Sequence, residues 1–525
     1  MNYSERGSRG KFVPLRVALA IVTCAMIALA FIFFFMMNGQ QIFPFKYLPF
    51  YIIGFAGITA LSMLAFKNKW GSVVMLLITA IVSGALVYGI NFSDKVGKLI
   101  NRVSAEETVN ITTMQVAVLK DSSIQSIEDL TGERLSFSST MDPQQLEKMK
   151  SDIDSKVVGV SYNQETGMTG LAKSLLEGKV SAIIMNSEYP KMISEIEGYE
   201  GFSDKIRIIY SVDVETIVKK DPEKVSDVDV FTLYLSGIDT FGDVMQTSRS
   251  DVNVLAVVNL KSKHILLINT PRDYYVPLPN SDGVQDKLTH AAIYGVENSM
   301  GTLEMLYDTK VDYYLRMNFS GFEKIIDTIG GIDVKSDYEF TSTLNPEYTY
   351  EEGMNHLNGE AALFFARERH AFIEGDNQRG KDHMAIIEAV VKKLTSSPEI
   401  LTNYQNIFGT LADSFQTSMP EDLIKKLINM EISGSDEWKI DSYAVEGEGE
   451  KRTSFSEPFS YLYVAMPDLY TVQNAKDMME QVKNEDTYQE PTTTQGHENS
   501  YYDNYKVYYG NNNDYYDEDE DEDYD

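Results

Sequence analysis

The 525-residue sequence holds a single cysteine, Cys24, and it sits inside an apolar run. A disulfide framework is thereby excluded, and stability has to come from a packed core. Positive charge is scarce too: 46 Lys and Arg stand against 78 Asp and Glu, a formal net charge of −32. A field of that sign opposes binding to nucleic acid. Two catalytic signatures are also missing. No Ser, His and Asp recur at a spacing suggestive of a nucleophilic triad, and no glycine-rich nucleotide loop appears. What is present is enough chain for two or three domains.

Three apolar stretches open it, at about 13–37, 42–66 and 70–90. Each approaches or exceeds the roughly 20 residues that cross a bilayer as helix. A cleaved signal peptide has a shorter apolar region and is not followed by two more. Arg6, Arg9, Lys11 and Arg16 precede or open the first stretch, and Lys67 and Lys69 separate the second from the third. Basic loops stay cytoplasmic. Both clusters lie inside only if the chain crosses three times, so residues 1–92 are expected to be a cytoplasmic N-terminus plus three transmembrane helices. Everything after about residue 91 is then extracellular. Pro44 and Pro49 at the entry of the second stretch leave a partly interfacial placement as the alternative.

From 105 to 222, short apolar runs alternate with helical patterns, which suggests a small α/β domain. Runs at 116–119, 157–160, 182–185 and 206–210 read as strands, and 171–176 as helix with Gly178 as its stop. The phrases SIEDLTGERLSF and LLEGKVSAIIMN resemble pieces of periplasmic-binding-protein lobes, which implies a binding-type fold. A spacer that positions the next domain is the alternative.

The stretch Ser236 to Asp273 organises the remainder. Runs at 252–260 and 265–268 flank the polar turn Lys261-Ser262-Lys263, a hairpin pattern. In a hairpin the start of one strand lies beside the end of the other. Arg249 and Asp251 should therefore meet Arg272 and Asp273 at the edge far from the turn. Asp239 ends a third run, 228–235 with its Ser-Gly stop, at the same edge. Carboxylates suit a hard cation such as Mg²⁺, and guanidinium forks match phosphate oxygens. A surface salt-bridge cluster is the alternative. Further on, Ser320 is expected to cap a helix bearing Phe322, Ile325, Ile326 and Ile329, and Asn358 a short helix that delivers Arg367, Glu368, Arg369 and His370. Arg367, Arg369, Asp376 and Arg379 fall close together along the chain. Their sign runs against the global balance, which favours an anion site over a solvated charged loop. Strands and helices interleave, so an α/β fold is expected for 226–395: an α+β sandwich with a central mixed sheet. Residues 396–482 read as its C-terminal continuation. From 484 to 525, Tyr, Asn, Asp and Glu dominate; this acidic tail is expected to be disordered.

The motifs SGID, RSD, INTPRD, KLTHAAIYG, DTIGGIDV, LNGEAALFFARER and GDNQRG resemble, in order and spacing, the LytR–CpsA–Psr family. Three membrane spans ahead of an accessory domain are similar to its streptococcal CpsA branch. The resemblance implies an extracytoplasmic phosphotransferase, multi-pass in the cell membrane. Such an enzyme moves a glycopolymer, capsular or teichoic-acid-like, from a polyprenyl diphosphate carrier to peptidoglycan. On that basis Asp239 and Asp251 are expected to hold Mg²⁺, with Mn²⁺ as the alternative ion. Arg249, Arg272, Arg367, Arg369 and Arg379 are expected around the diphosphate, with Lys287 and His383 also binding substrate. Asp376 is expected as a base or an arginine-orienting partner. Two departures from the family pattern stand out: Ile238 where Ser is common, and His383 where Gln is common, which admits a pH-dependent charge there. A membrane sensor that binds polyprenyl phosphates, and a polyprenyl-diphosphate hydrolase, are the competing functions.

Overall fold

The computed structural model describes residues 13–39, 48–103, 107–219, 228–238, 240, 243–373, 375–396, 415–433 and 437–484. The basic residues before position 13 and the acidic tail after position 484 lie outside this set. Three apolar helices lead: α1 (Val13–Gly39), α2 (Leu48–Ala65) and α3 (Lys69–Val103). Each is long and apolar enough to cross a membrane. α1 and α3 bury Met26, Ala30 and Leu86 between them, while Ile21, Ile53 and Ile81 face outward. Several hydroxyls bond back onto their own helix: Ser62 Oγ donates to the Ile58 carbonyl and Thr79 Oγ1 to the Met75 carbonyl, both at 2.8 Å. Such groups find no water in a hydrocarbon layer, so bonding back to their own helix is their available partner.

A small α/β domain follows, built from β1 (Glu107–Leu119), β2 (Arg134–Ser138), α4 (Pro143–Lys156), β3 (Ser161–Glu165), α5 (Gly167–Leu176), β4 (Ala182–Asn186), α6 (Tyr189–Ser194) and β5 (Ile206–Lys219). The sheet order is β3-β2-β4-β1-β5, with β2 parallel to β3 and β4. The strand expected at 157–160 is absent. α4 runs to Lys156, Val157 is its buried C-cap, and Val158 is 80% exposed. Gly159 then turns the chain at φ +79°. The apolar run is a helix-to-strand corner, and β3 starts only at Ser161.

The main domain is organised by a six-stranded sheet. In chain order it contains β6 (Val230–Ile238), β7 (Ser250–Asn259), β8 (His264–Asn269), the short pair β9 (Tyr275–Pro277) and β10 (Gln285–Lys287), α7 (Val296–Tyr307), β11 (Tyr313–Asn318) and α8 (Phe319–Thr328). Next come β12 (Ile332–Ser336), β13 (Phe340–Thr341), β14 (Thr349–Tyr350), β15 (Gly353–Leu357), α9 (Gly359–Arg367) and α10 (Asp376–Ser396). It ends with β16 (Phe415–Thr417), α11 (Glu421–Ser433), β17 (Lys439–Ala444), β18 (Gly447–Arg452), β19 (Leu462–Pro467) and α12 (Leu469–Lys483). The sheet order is β16-β11-β6-β7-β8-β17. It is mixed: β6/β7 and β7/β8 are antiparallel, β6/β11 and β8/β17 parallel.

Side chains alternate across the strands, as the period of two demands. Leu255, Val257, Leu266 and Ile268 pack under α7 and α12. Val254, Ala256, Ile265 and Leu267 pack under α10 and α11. Both faces are covered, and every residue of β8 is buried, which is why that strand reads as an unbroken apolar run. The segment expected as a C-terminal continuation supplies both edge strands, β16 and β17. The cap of α8 is Asn318, whose Oδ1 accepts from Gly321 N at 2.8 Å, and not Ser320. β11 runs straight into α8, so the last strand residue serves as the cap. Asn358 caps α9 as expected.

Candidate functional site

The hairpin β7/β8 is offset at its open end: Val254 faces Asn269, so β7 begins four residues beyond its partner. The chain after β8 curls back over this overhang. Thr270 N donates to the Asn253 carbonyl at 2.9 Å, and Arg272 Nη1 reaches Asp251 Oδ1 at 2.8 Å. Arg272 Nε lies 3.5 Å from Asp273 Oδ2, and Lys287 Nζ 3.1 Å from Asp273 Oδ1. Lys287 is held there by backbone pairing, because Thr289 N donates to the Arg272 carbonyl at 2.8 Å. Arg249 is 2% exposed, and its Nη1 lies 2.9 Å from both carboxylate oxygens of Glu195.

Charge is concentrated here. Burial alone would raise the Asp251 carboxyl, but Arg272, Arg379 and Arg249 overturn that and hold it at about 2, against an ordinary 3.8. Burial also pushes Asp273 upward, and Lys287 and Arg272 reverse it, leaving its pKa below the usual value. Both acids are therefore ionised at neutral pH.

Helix α10 brings Arg379 in from the far side of the sequence. Its N-terminal turn lies tight against the end of β8: a Cβ on Gly380 would sit 2.5 Å from Asn269 Nδ2. Glycine at this position therefore sets how near α10, and Arg379 with it, approaches Asp251. One turn on, burial and the neighbouring Arg379 push His383 down to about 3. The ring is neutral at pH 7, and its Nε2–H donates to the Ala366 carbonyl at 2.8 Å. The pH-dependent charge expected from the sequence is thus displaced far to the acid side. His383 instead ties α10 to the end of α9, just before Arg367.

Arg367 and Arg369 stand apart from the Asp251 cluster in their contacts. The Arg367 guanidinium lies over the Phe319 ring, 4.5 Å from its centroid, and Arg369 Nε donates to His370 Nε2 at 3.2 Å. Phe319 N in turn donates to the Thr240 carbonyl at 3.2 Å. Ile238 pairs with Ser250 on one side and Asn318 on the other. Arg367 therefore belongs to the same end of the sheet as β6 and the start of β7. Asp239 and the side chain of Asp376 lie outside the described residues.

Two acids have structural roles that the sequence does not assign. Glu368 is fully buried between the two arginines, and its carboxylate accepts from Ser342 Oγ, from Thr343 N and Oγ1, and from the backbone N–H groups of Arg369, His370 and Ala371 at 2.6–3.1 Å. Burial would raise its pKa, and these bonds lower it. It fixes the turn that presents Arg367 and Arg369. The acid flanked by arginines at a helix end was the available signal. Asp382 is buried on α10; Gln378 Nε2 donates to its Oδ1 at 3.0 Å, and its Oδ2 has no hydrogen-bond partner among the described residues. Burial raises it to about 7.

Among the described residues no group of three or more His, Cys, Asp and Glu side chains is arranged to hold a metal ion. Asp251 is the ionised oxygen donor available at the sheet edge, with one oxygen engaged by Arg272. Mg²⁺ needs only one or two carboxylates when phosphate and water complete its shell, a number Asp251 can begin to meet; Asp239, the second acid expected from the sequence, is outside the described residues.

Comparison with known proteins gives a family assignment for the main domain. A model of the LytR_cpsA_psr family matches residues 205–479. A second, described as DNA polymerase processivity factor, matches residues 66–185; that stretch joins an apolar helix to part of the small sheet and leaves out β5. The polyisoprenyl-teichoic acid–peptidoglycan teichoic acid transferase TagU of Enterococcus faecalis is 32% identical over 211 residues, 40% of this chain and 68% of that protein. The protein of the same name from Bacillus cereus AH820 is 31% identical over 231 residues, 44% and 73% of the two chains. The crystal structure of B. subtilis TagV is similar with a TM-score of 0.42 and 24% identity, covering 50% of this chain and 99% of that one. Protein gbs0355 of Streptococcus agalactiae gives 0.42 and 23%, covering 53% and 95%. With the family match extending over more than half of its length, and with the mixed sheet and its arginine-lined edge in place, the chain belongs to the LytR_cpsA_psr family.

Proposed function

We propose that the protein is a membrane-anchored transferase that moves a glycopolymer from a polyprenyl diphosphate carrier to peptidoglycan on the outer face of the membrane. The observation that carries this is the edge of the central sheet. Arg272 pairs with the mostly buried, ionised Asp251, and the charges of Arg379 and Arg249 also act on it, in a protein of net charge −32. A site built against the global charge balance is built for an anion. The relatives' names supply the class of anion and of acceptor.

In the proposed reaction an acceptor hydroxyl oxygen on peptidoglycan bonds to the phosphorus nearer the glycan. The bond from that phosphorus to the bridging oxygen breaks, and the carrier leaves as polyprenyl monophosphate. The polymer ends up on peptidoglycan through a phosphodiester. Such transfer asks little covalent work of the protein and much charge compensation at the non-bridging oxygens. Arg249, Arg272 and Arg379 would provide that compensation, with Arg367 and Arg369, held by the Glu368 turn, as further proposed phosphate contacts. Lys287, already paired with Asp273, sits beside Arg272. Asp376, at the first position of α10, is the proposed base for the hydroxyl proton or the partner that orients an arginine. Asp239 and Asp251 would hold Mg²⁺, which when bound adds positive charge against the diphosphate oxygens. The helices α1–α3 keep this edge near the bilayer, where a lipid-borne donor resides.

The test is Arg379→Ala in the full-length protein in detergent, supplied with lipid-linked polymer and peptidoglycan fragments. Loss of one preorganised cation should lower turnover by about 10²–10³-fold. Turnover at the unmodified rate would contradict the assignment.

A further inference from the structure

The site arginine Arg249 is occupied by an acid from the small domain. Helix α6 is preceded by Glu188 and followed by Glu195. Arg249 Nη1 lies 2.9 Å from both oxygens of Glu195, and its Nε 4.0 Å from Glu188 Oε2. The two partners are unequal. The Arg249 side chain is 3% exposed and that of Glu195 48%. The arginine is locked by packing, and the acid is free to swing into water.

The seam between the two domains fixes this arrangement. Ile111 of β1 donates its N–H to the Met245 carbonyl at 2.8 Å, and Thr247 N donates to the Ile111 carbonyl at 2.7 Å. Thr247 Oγ1 bonds Thr112 Oγ1 at 3.0 Å. The loop that ends in Arg249 is thus pinned to β1 of the small domain. The family match begins at residue 205, so both glutamates lie ahead of the matched part, in the small domain.

We propose that Glu195 is a displaceable counter-charge: it holds the anion position of Arg249 in the free protein and yields it to a donor phosphate. A buried guanidinium is costly to leave without an anion. A half-exposed carboxylate loses little on returning to water. Phosphate oxygens match the same N–H groups, so binding exchanges one anion for another. The donor then binds more weakly than it would to a site without Glu195, and Glu195 sets the affinity threshold that an anion must exceed. This rests on the proposed function, in which Arg249 contacts the donor diphosphate.

The experiment measures the Kd of geranylgeranyl diphosphate for the full-length protein in detergent, with Glu195→Gln, Glu195→Asp and Arg249→Ala beside the wild type. Glutamine keeps the acceptor oxygen and removes the charge, so Glu195→Gln should bind about three- to tenfold more tightly. Glu195→Asp, charged but shorter, should fall between it and wild type. Arg249→Ala should bind more weakly. If Arg249→Ala weakens binding while Glu195→Gln leaves it unchanged or weaker, the site stands and the counter-charge role is overturned. If Arg249→Ala binds as wild type does, the placement of Arg249 at the donor is what fails. Should Glu195→Gln not fold, as judged by its thermal melt, Glu195→Asp decides by the same sign.

Discussion

Arg272→Ala should destabilise the protein through Asp251 more than through any contact of its own. Asp251 is held near 2, well below its ordinary 3.8, even though burial acts in the opposite direction. That difference is close to two pKa units, or about 2.5 kcal/mol of net stabilisation at neutral pH at about 1.4 kcal/mol per unit. The Arg272 and Asp251 side chains are only 14% and 18% exposed, so solvent screens the pair weakly. Arg272 leads the charges acting on Asp251 and also donates the 2.8 Å bond. Its removal takes the hydrogen-bonded partner and the largest compensating charge from a mostly buried carboxylate, which costs up to about 3–5 kcal/mol. The assay is thermal and urea unfolding of the full-length protein in detergent, with Asp251→Asn and the double variant completing the cycle. The double variant should recover at least half of the loss, because the stranded charge is gone. The pH dependence has a definite sign. A depressed carboxylate pKa contributes stability that is present above about 4 and lost as pH falls through about 2. In Arg272→Ala that acid-side loss should shrink. A cost below about 1 kcal/mol, as for an exposed ion pair, would refute the reasoning.

Two further variants probe the supporting structure. Gly359→Ala places a Cβ against the Glu323 carbonyl of α8; backbone cannot rotate aside, so about 2–3 kcal/mol should be lost in unfolding experiments. Asp382→Asn should stabilise the protein at high pH: a carboxyl raised by burial to about 7 contributes stability below about 4 that is lost as pH rises through 7. The variant should therefore gain about 2–4 kcal/mol at pH 8 and little at pH 4, and equal gains at both would contradict the burial account.

Much of this arrangement is legible in the chain itself. The β7/β8 hairpin, the Asn358 cap and the periodic face of α10 follow from local pattern, and the hairpin alone brings Arg249, Asp251, Arg272 and Asp273 to one edge. Arg379 could be joined to them only through family resemblance, because its approach depends on the packing of Gly380 against Asn269, two positions separated by half the domain. The corner at 157–160 misread as strand because adjacent valines look alike in sequence and differ only in which one the helix end covers. Ser320 lost the cap to Asn318 because strand and helix abut without a linker. Glu368 and Asp382 had no role assigned because burial turns an ordinary surface-type residue into a structural one, and burial is a tertiary property. The glutamates on Arg249 belong to a different domain, and no local pattern connects them to it.

The central claim is that this sheet edge transfers a lipid-borne glycan phosphate to peptidoglycan. The direct measurement follows both products when the full-length protein in detergent is given Mg²⁺, polyprenyl-diphosphate-linked polymer and peptidoglycan fragments. The account predicts polyprenyl monophosphate released in equal amount with polymer attached to peptidoglycan through a phosphodiester. Release of the monophosphate with the polymer left free, as a hydrolase would give, or no release at all, would contradict it.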